Sequence, residues 1–266
     1  MGILNVTPDS FSDGGKFATR ERAIERGEQL AAAGADVVDI GGESTRPGAE
    51  RVPPAEQKRR VLDVIAHLRA RAPTLGISID TSSSEVAAAA LDAGADLIND
   101  VTAGRADPDM LALAGQRDVP FVLMHMQGQP ATMQDAPTYD NVVVEVRAFF
   151  EARIAAACAA GVARERIILD PGIGFGKRRA HNLSLLAGLE EFASMGYPLM
   201  LGLSRKGFLG NLLATREPLE LIPATCAANA LGVLAGARIF RVHDVSENRQ
   251  ALTVAWKVLQ AQRART

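Results

Sequence analysis

The chain has 266 residues, of which 47% are hydrophobic and 23% are charged, and its formal net charge is −2. These values are typical of a large globular domain, and we treat residues 1–266 as a single domain. Acidic and basic residues are mixed along the sequence, so there is no basic stripe that would follow a nucleic-acid backbone. No apolar stretch approaches the length of a membrane span. We therefore expect neither nucleic acid nor a membrane as a partner.

The two cysteines, Cys158 and Cys226, lie far apart in alanine-rich segments. They lack the short spacing that thiolate metal sites use. We expect both to be buried structural thiols that contribute to helix packing. This pattern, together with a start that has neither a basic region nor a long apolar stretch, predicts a reducing, cytoplasmic setting.

A short phrase recurs along the chain, in which an alanine-rich helical segment is followed by a glycine, a few apolar residues and a polar residue. Its glycines are Gly34, Gly94, Gly161 and Gly236. Each suits the position just after a helix, where a residue adopts a positive φ. The phrase therefore predicts a helix, a tight stop and a strand.

Apolar runs predict about eight strands, each followed by a helical pattern. The runs are 2–6, 37–40, 76–79, 97–99, 121–124, 167–170, 199–202 and 239–241. This count favours an α/β fold of the (β/α)₈ TIM barrel type. A doubly wound open sheet is the alternative, but it usually has fewer strands in this length and a dinucleotide-type glycine loop, which the sequence lacks. Only two loops stand out by length, 7–17 and 41–52, and both follow strands.

Polar residues end seven of the eight predicted strands, and a barrel would bring these ends to one mouth. They are Asn5, Asp80, Asn99 with Asp100, His125, Asp170, Ser204 with Lys206, and Arg241 with His243. Any one of them could simply cap the following helix. Their recurrence at strand after strand favours a binding site. We interpret His125, which lies between methionines, as a residue at the edge of the core and not as a catalytic group.

The chemistry of this set suits a flat heterocycle and an anion. Asp80, Asn99 and Asp170 supply carboxylate and amide groups that match a ring with neighbouring N–H donors and a carbonyl. Lys206 and Arg241 add positive charge, and a guanidinium can also stack on a ring. A tight protein-only zinc site is not expected, whereas Mg²⁺ held by one protein oxygen, waters and substrate phosphates is compatible with these residues.

Several short motifs stand out across nearly the whole chain. Residues 2–15 read GILNVTPDSFSDGG and residues 41–48 read GGESTRPG. Further motifs are IDT at 79–81, IND at 98–100, MHMQG at 124–128, DPGIGFGK at 170–177, SRK at 204–206 and RVHDV at 241–245. Together and in this order they resemble the signatures of the dihydropteroate synthases. One departure is Ala103, at a position where the resemblance leads us to expect glycine.

The resemblance implies a transferase in which para-aminobenzoate displaces diphosphate from 6-hydroxymethyl-7,8-dihydropterin diphosphate, giving 7,8-dihydropteroate. It assigns the pterin to Asp80, Asn99, Asp170 and Lys206, with Arg241 stacked against the ring. It assigns Mg²⁺ and the diphosphate to Asn5, and the phosphates also to Arg46, Arg241 and His243. It assigns para-aminobenzoate to Phe175, Ser204 and Lys206 with the loop tips Phe11, Thr45 and Pro47.

The same resemblance implies a dissociative substitution, in which the electron-rich dihydropterin stabilises a cationic methylene group while Mg²⁺ and cations hold the diphosphate. We expect Asp9, Arg46, Lys206 and Arg241 to carry the catalytic roles, with Asp9 stabilising the cation. The two long loops would act as lids that exclude water once the diphosphate is bound.

Two other functions remain open on sequence grounds. One is a methyltransferase that binds a methylated tetrahydropterin on the same barrel, which would lack residues for a diphosphate. The other is a catalytically silent barrel that binds a pterin or a partner, which would need no lids. The long first loop, the SRK motif at 204–206 and the pair Arg241 and His243 favour the synthase. Segment 222–235 is apolar enough to support a homodimer.

Overall fold

The computed structural model describes residues 1–7, 16–44, 51–128, 132–215 and 217–264, with the backbone alone described for 16–19. Eight strands alternate with helices over these residues. The strands are β1 Gly2–Asn5, β2 Val37–Gly41, β3 Gly76–Asp80, β4 Leu97–Asp100, β5 Phe121–Met124, β6 Ile167–Asp170, β7 Met200–Leu201 and β8 Ile239–Phe240. Every predicted apolar run coincides with one of them, so the strand prediction is confirmed.

Ten α-helices surround the strands in the described part of the chain. They are α1 Lys16–Ala32, α2 Pro54–Arg71, α3 Ser84–Asp92, α4 Met110–Arg117, α5 Val142–Ala159, α6 Arg179–Ala187, α7 Leu189–Ala193, α8 Gly207–Leu213, α9 Ile222–Leu234 and α10 Val245–Arg263. The short helix α8 lies between β7 and α9 and was not anticipated from the sequence.

The strands close into a barrel. Strands β1 to β6 pair in chain order and in parallel, and β7 pairs in parallel with β8. Leu169 N donates to Pro198 O at 2.9 Å, which joins β6 to the start of β7. Ile3 N donates to Val242 O at 2.9 Å, which joins β1 to the end of β8. The predicted (β/α)₈ barrel is therefore confirmed, and the open-sheet alternative is wrong.

The glycines of the recurring phrase stand where the sequence predicts them. Gly34, Gly94, Gly161 and Gly236 have φ values of +94°, +112°, +95° and +100°, and each follows a helix that ends within the preceding residues. Left-handed backbone of this kind carries little cost only for a residue without a Cβ atom. The phrase therefore sets where four of the helices stop and where the chain turns back towards the barrel.

Two expectations about the outer parts of the molecule were wrong. A third long connection, His125 to Asn141, follows β5 without a helix or strand in its described residues, because its sequence is rich in glycine, proline and polar residues. Cys158 and Cys226 are unpaired but only partly buried, since each lies on a helix beside residues exposed to solvent. No helix among the described ranges is long and apolar enough to cross a membrane.

We expect Ala214→Gly to stabilise the protein. Ala214 is exposed and ends helix α8 with a φ of +55°, a conformation that strains a residue with a Cβ atom. Glycine at such a position should raise the free energy of unfolding by about 0.5–1 kcal/mol, measured by urea denaturation. The control, Ala152→Gly at an exposed position inside α5, should lower it by about 1 kcal/mol. A loss of stability in both variants would contradict the strain.

Candidate active site

The polar side chains of the barrel interior occupy one layer. Residues two apart on a strand face the same side. An apolar cluster of Leu97, Val122, Ile168 and Met200 fills one level of the interior. At the next level of the interior, the inward residues on β2, β3 and the end of β8 are polar, namely Asp39, Asp80 and Arg241. On β4 and β6 they are Asn99 and Asp170, two residues beyond Leu97 and Ile168. The alternation places this layer at the carboxyl ends of the strands.

A cavity of about 790 Å³ opens at this end of the barrel. Eight residues predicted for the site line it, namely Asn5, Asn99, Asp170, Phe175, Ser204, Lys206, Arg241 and His243. A ninth, Asp80, is reached through its ion pair with Arg241. The remaining predicted residues, Asp9, Phe11, Thr45, Arg46 and Pro47, lie outside the described residues.

The strongest electrostatic contact in the layer joins Arg241 to two carboxylates. Arg241 Nε donates to Asp39 Oδ2 at 2.6 Å, and Arg241 Nη2 donates to Asp80 Oδ2 at 2.7 Å. Asn99 Nδ2 also donates to Asp39 Oδ2, at 3.0 Å. One cation thus serves two buried carboxylates from neighbouring strands. The other oxygen of Asp39 has no hydrogen-bond partner among the described residues.

Asp39 is a site residue that the strand-end reasoning missed. It lies inside β2, one residue before the predicted end of the run at Ile40, and its side chain is fully buried. The available signal was a lone acid within an apolar strand, because a charge in that position needs a buried partner. Counting residues by twos from Asp39 would have aligned it with the inward face of the barrel.

The charges in this layer respond to burial in opposite ways. Burial raises the pKa of Asp80 from 3.8 to about 7, although Arg241 acts in the opposite direction. Burial also opposes the positive charge of Arg241, but Asp39 and Asp80 outweigh it and raise the pKa of the guanidinium. Arg241 is therefore charged throughout the physiological range, whereas the raised pKa of Asp80 makes its charge sensitive to pH near neutrality.

Lys206 and Asp170 form a second pair of charges across the cavity. Burial lowers the pKa of Lys206 to about 8, and Asp170 opposes that shift. Burial raises the pKa of Asp170, and Lys206 opposes that shift in turn. A Cβ atom on Gly202 would lie 3.8 Å from Lys206 Nζ and 4.0 Å from Asp170 Oδ2, so the glycine leaves the space between the two groups open.

The ammonium group of Lys206 is held against the connection that follows β6. Its Nζ donates to Ile173 O and lies 4.5 Å from the centre of the Phe175 ring. Asp170 at the end of β6 accepts a hydrogen bond from Gly172 N at 2.7 Å. This connection therefore places an aromatic face, a carbonyl oxygen and a cation side by side at the edge of the cavity.

Ser204 and His243 are brought together as the sequence predicts. Ser204 Oγ accepts from His243 N at 3.1 Å and lies 2.9 Å from His243 Nδ1. Arg205, between the two predicted residues Ser204 and Lys206, pairs instead with Asp244, Nε donating to Oδ2 at 2.9 Å. Arg205 therefore holds the β7 connection against the start of α10 while its neighbours face the cavity.

Two of the polar residues at the predicted strand ends, Asp100 and His125, make contacts that stabilise the fold. Asp100 accepts hydrogen bonds from Thr102 N at 2.8 Å and from Gly104 N at 2.7 Å, so its carboxylate caps the turn after β4 and does not face the cavity. In that turn Ala103 has a φ of +55°, which explains why a glycine was expected there. His125 is buried and contacts Lys177, and burial lowers the pKa of its imidazole to about 2.

No group of three or more histidine, cysteine, aspartate or glutamate side chains that could hold a metal ion is found in the part of the chain that the structure describes. Asn5, at the end of β1, contributes an amide to the cavity beside Arg241 and His243. An amide oxygen is a suitable single ligand for a hard cation that keeps its waters and binds substrate phosphates. The donor set fits a substrate-bridged Mg²⁺ better than a protein-only metal site.

Comparisons with known proteins agree with this geometry. Residues 1–243 match the family described as pterin binding enzyme. A dihydropteroate synthase from Synechocystis sp. is 46% identical over 255 residues, which cover 96% of this chain and 88% of the relative. A Xanthomonas albilineans dihydropteroate synthase solved with 4-aminobenzoic acid is 49% identical, with a TM-score of 0.91 and coverage of 98% of this chain and 92% of that one. A structure of the same organism's enzyme with 7,8-dihydropteroate is 46% identical, with a TM-score of 0.88 and coverage of 98% and 93%.

The fold is that of a barrel enzyme, and its cavity opens at the carboxyl ends of the strands, where enzymes of this fold place their active sites. The chain belongs to the pterin-binding enzymes and, within them, to the dihydropteroate synthase family of transferases.

The raised pKa of Asp80 has a measurable effect on stability. The folded state holds a proton on Asp80 that the unfolded state has lost above pH 3.8, so stability falls as the pH rises from 3.8 through about 7. We expect wild type to lose on the order of 2–3 kcal/mol of unfolding free energy between about pH 5 and about pH 8 through this group. Asp80→Asn should remove that part of the slope in urea denaturation. Parallel profiles for the two proteins would contradict the shift.

Proposed function

We propose that this single-domain barrel catalyses the dihydropteroate synthase reaction, joining para-aminobenzoate to 6-hydroxymethyl-7,8-dihydropterin diphosphate with release of diphosphate. The observation that carries the proposal is one cavity in which buried acidic and amide groups face the partly buried cations Lys206 and Arg241. The relatives from X. albilineans, solved with 4-aminobenzoic acid and with 7,8-dihydropteroate, support the choice of substrates.

The pterin is proposed to bind among Asp80, Asn99, Asp170 and Lys206. The pterin ring carries adjacent N–H donors and a carbonyl on one edge, and carboxylate and amide groups can pair with such an edge through parallel hydrogen bonds. Asp80, Asn99 and Asp170 are buried and Lys206 is partly buried, which strengthens each contact relative to water. The arrangement selects a flat, polar ring.

Arg241 is proposed to cover one face of the ring and to contact the phosphates with His243, Asn5 and Arg46. Asp39 supports this role, because its carboxylate keeps a partner for Arg241 when Asp80 turns to the pterin. A flat guanidinium can stack on a ring and still donate in its own plane. We therefore assign Arg241 two contacts with one substrate, and Asp39 the task of holding it.

Mg²⁺ is the proposed metal, with Asn5 as its protein ligand and the diphosphate and water completing its shell. Once bound, the ion would neutralise charge on the leaving diphosphate. Arg241, His243 and Arg46 would hold the same phosphates from the protein side. This division leaves no need for a cluster of acidic ligands in the chain.

The reaction is proposed to be a dissociative substitution beneath two loops. Electron donation from the dihydropterin stabilises a cationic methylene carbon, the C–O bond to the diphosphate breaks, and the amine of para-aminobenzoate then forms the new C–N bond. Phe175, Ser204 and Lys206 would hold the aminobenzoate with Phe11, Thr45 and Pro47. Asp9 would stabilise the cation and the loops would exclude water. Unchanged turnover by Asp9→Ala would remove Asp9 from the mechanism.

A homodimer is proposed to form through α9. This helix buries Asn229 and Val233 against the barrel, while Leu231 and Leu234 on its other side are 67% and 41% exposed. Val254 on the adjacent helix α10 is 66% exposed. Adjacent exposed apolar side chains of this kind are typical of a surface that a partner covers. We also propose a cytoplasmic location, in keeping with the two unpaired cysteines.

We expect the purified protein to convert labelled para-aminobenzoate and the pterin diphosphate to labelled dihydropteroate when Mg²⁺ is present, and to stop when EDTA removes it. Asp170→Asn keeps the shape of the side chain and removes its charge, so kcat/KM for the pterin diphosphate should fall about 100-fold. Asp63→Asn, at an exposed ion pair on α2, is the matched control and should retain activity. Product is followed by chromatography.

Absence of product from wild type would overturn the proposed function. In that case, thermal stabilisation by inorganic diphosphate with Mg²⁺ separates the alternatives. Stabilisation would leave a diphosphate site without turnover, whereas its absence would favour the methyltransferase or the silent barrel.

We expect Leu231→Glu to shift the protein from dimer to monomer in sedimentation velocity at micromolar concentration, because a charge in the centre of an apolar interface must be desolvated. Val144→Glu, at a 60% exposed position on α5, is the control and should leave the assembly unchanged. A monomeric wild type, or equal sedimentation of all three proteins, would count against the α9 interface.

A further inference from the structure

Lys177 is almost fully buried, with only 3% of its surface exposed, which is rare for a lysine in a folded protein. Its Nζ donates to Gly172 O and Phe175 O, each at 2.9 Å, and to His125 O at 3.2 Å. It also lies 2.9 Å from His125 Nδ1. The resemblance to known families assigns this lysine to a motif but gives it no role in the proposed reaction.

The oxygen and nitrogen atoms around Lys177 Nζ form an environment that suits a positive charge. Burial lowers the pKa of Lys177. Three of the neighbours of Nζ are nevertheless carbonyl oxygens, which can only accept, and they match the three N–H donors of an ammonium group. The imidazole of His125 matches it, because burial, Lys177 and Arg105 lower its pKa to about 2 and keep it neutral. A neutral imidazole offers a lone pair at Nδ1 when its proton is on Nε2.

Lys177 joins two connections whose backbones touch. A Cβ atom on Gly172 would lie 1.9 Å from His125 O, and a Cβ atom on Gly176 would lie 2.4 Å from Gln127 O. The connection after β6 therefore packs against the connection after β5 with no side chain between them. His125 O and Gly172 O are buried in this contact, and an unpaired buried carbonyl destabilises a fold. Lys177 supplies the donors.

The connection fixed in this way carries groups of the aminobenzoate side of the site. Ile173 O accepts from Lys206 Nζ, and the Phe175 ring lies 4.5 Å from that nitrogen. Gly174 has a φ of +88°, and a Cβ atom there would lie 2.9 Å from Lys206 Cδ. The path of the backbone between Gly172 and Phe175 thus sets where Lys206 and the aromatic face stand relative to each other.

We propose that Lys177, with His125 as its neutral acceptor, is a positioning residue that fixes the β6 connection and thereby aligns Phe175 and Lys206 for para-aminobenzoate. The proposal rests on the proposed function. It concerns the amine substrate more than the pterin, since Phe175 is assigned to the amine alone and two of the four pterin residues, Asp80 and Asn99, lie on β3 and β4.

The test compares KM for para-aminobenzoate with KM for the pterin diphosphate in Lys177→Met. We expect KM for para-aminobenzoate to rise about tenfold or more, because a displacement of about 1 Å is enough to disturb a reacting pair. KM for the pterin diphosphate should change less than about threefold, since most of its proposed contacts remain. Thermal unfolding is measured alongside, because removing the ammonium also takes a donor from the buried carbonyl of His125.

His125 provides a second series if Lys177→Met does not fold. His125→Leu removes one of the four acceptors, so its KM for para-aminobenzoate should rise by about half the effect of Lys177→Met on a logarithmic scale. His125→Asn can place an amide oxygen near the Nδ1 position and should restore KM to within about twofold of wild type.

The outcomes distinguish failure of the proposed function from failure of the proposed role of Lys177. Absence of product from wild type defeats the proposed function, whatever the variants do. Active variants that are less stable but keep both KM values unchanged would show that Lys177 is only structural and overturn the inference. An equal rise of both KM values would do the same. A selective rise for para-aminobenzoate with rescue by His125→Asn supports the inference.

Discussion

The site depends on one constraint, the alternation of side chains along strands that are closed into a barrel. Because residues two apart face the same side, an inward residue near the start of a strand determines which later residue reaches the mouth. Leu97 leads to Asn99, and Ile168 leads to Asp170. A shift of one residue in any strand would turn its polar group towards the helices and bury an unpaired charge there.

Each of the buried charges at this end of the barrel depends on the others, because a buried charge without a partner destabilises the fold. Asp39 and Asp80 come from neighbouring strands and share Arg241, which arrives from the far end of the chain. Separating these groups would leave charges unpaired inside the barrel, at a cost of several kcal/mol for each. The β8 end of the chain is therefore tied to β2 and β3 by electrostatics, in addition to the backbone hydrogen bonds that join it to β7 and β1. The same contacts that assemble the site therefore also help to hold the barrel closed.

The sequence predicts the barrel well because its signals are local and repeated. Glycines after helices, apolar runs of four or five residues and polar strand ends all report on the backbone within a few residues. The same local reasoning located Asp170, Lys206 and Arg241 correctly at the cavity. It could not foresee that Asp100 turns back to cap its own loop, since an aspartate at a strand end looks alike in either role.

What the sequence could not give was pairing between distant segments. The role of Asp39 depends on its contact with Arg241, and that of Lys177 on its contact with His125. Neither pair has a spacing that marks it in one sequence. The third long connection at the mouth, 125–141, was also missed, because a run of glycine, proline and polar residues does not show how close it lies to a neighbouring loop.

Gly202 shows how a site can be shaped by an atom that is missing. A Cβ atom at this position would stand within 4.0 Å of both Lys206 Nζ and Asp170 Oδ2. Even a methyl group would therefore narrow the passage between the two charged groups and shield each of them from a ligand. The space between the two groups stays open because residue 202 has a hydrogen atom where other residues have a Cβ atom. A gain of one carbon at residue 202 would occupy space between the two charged groups without altering either of them.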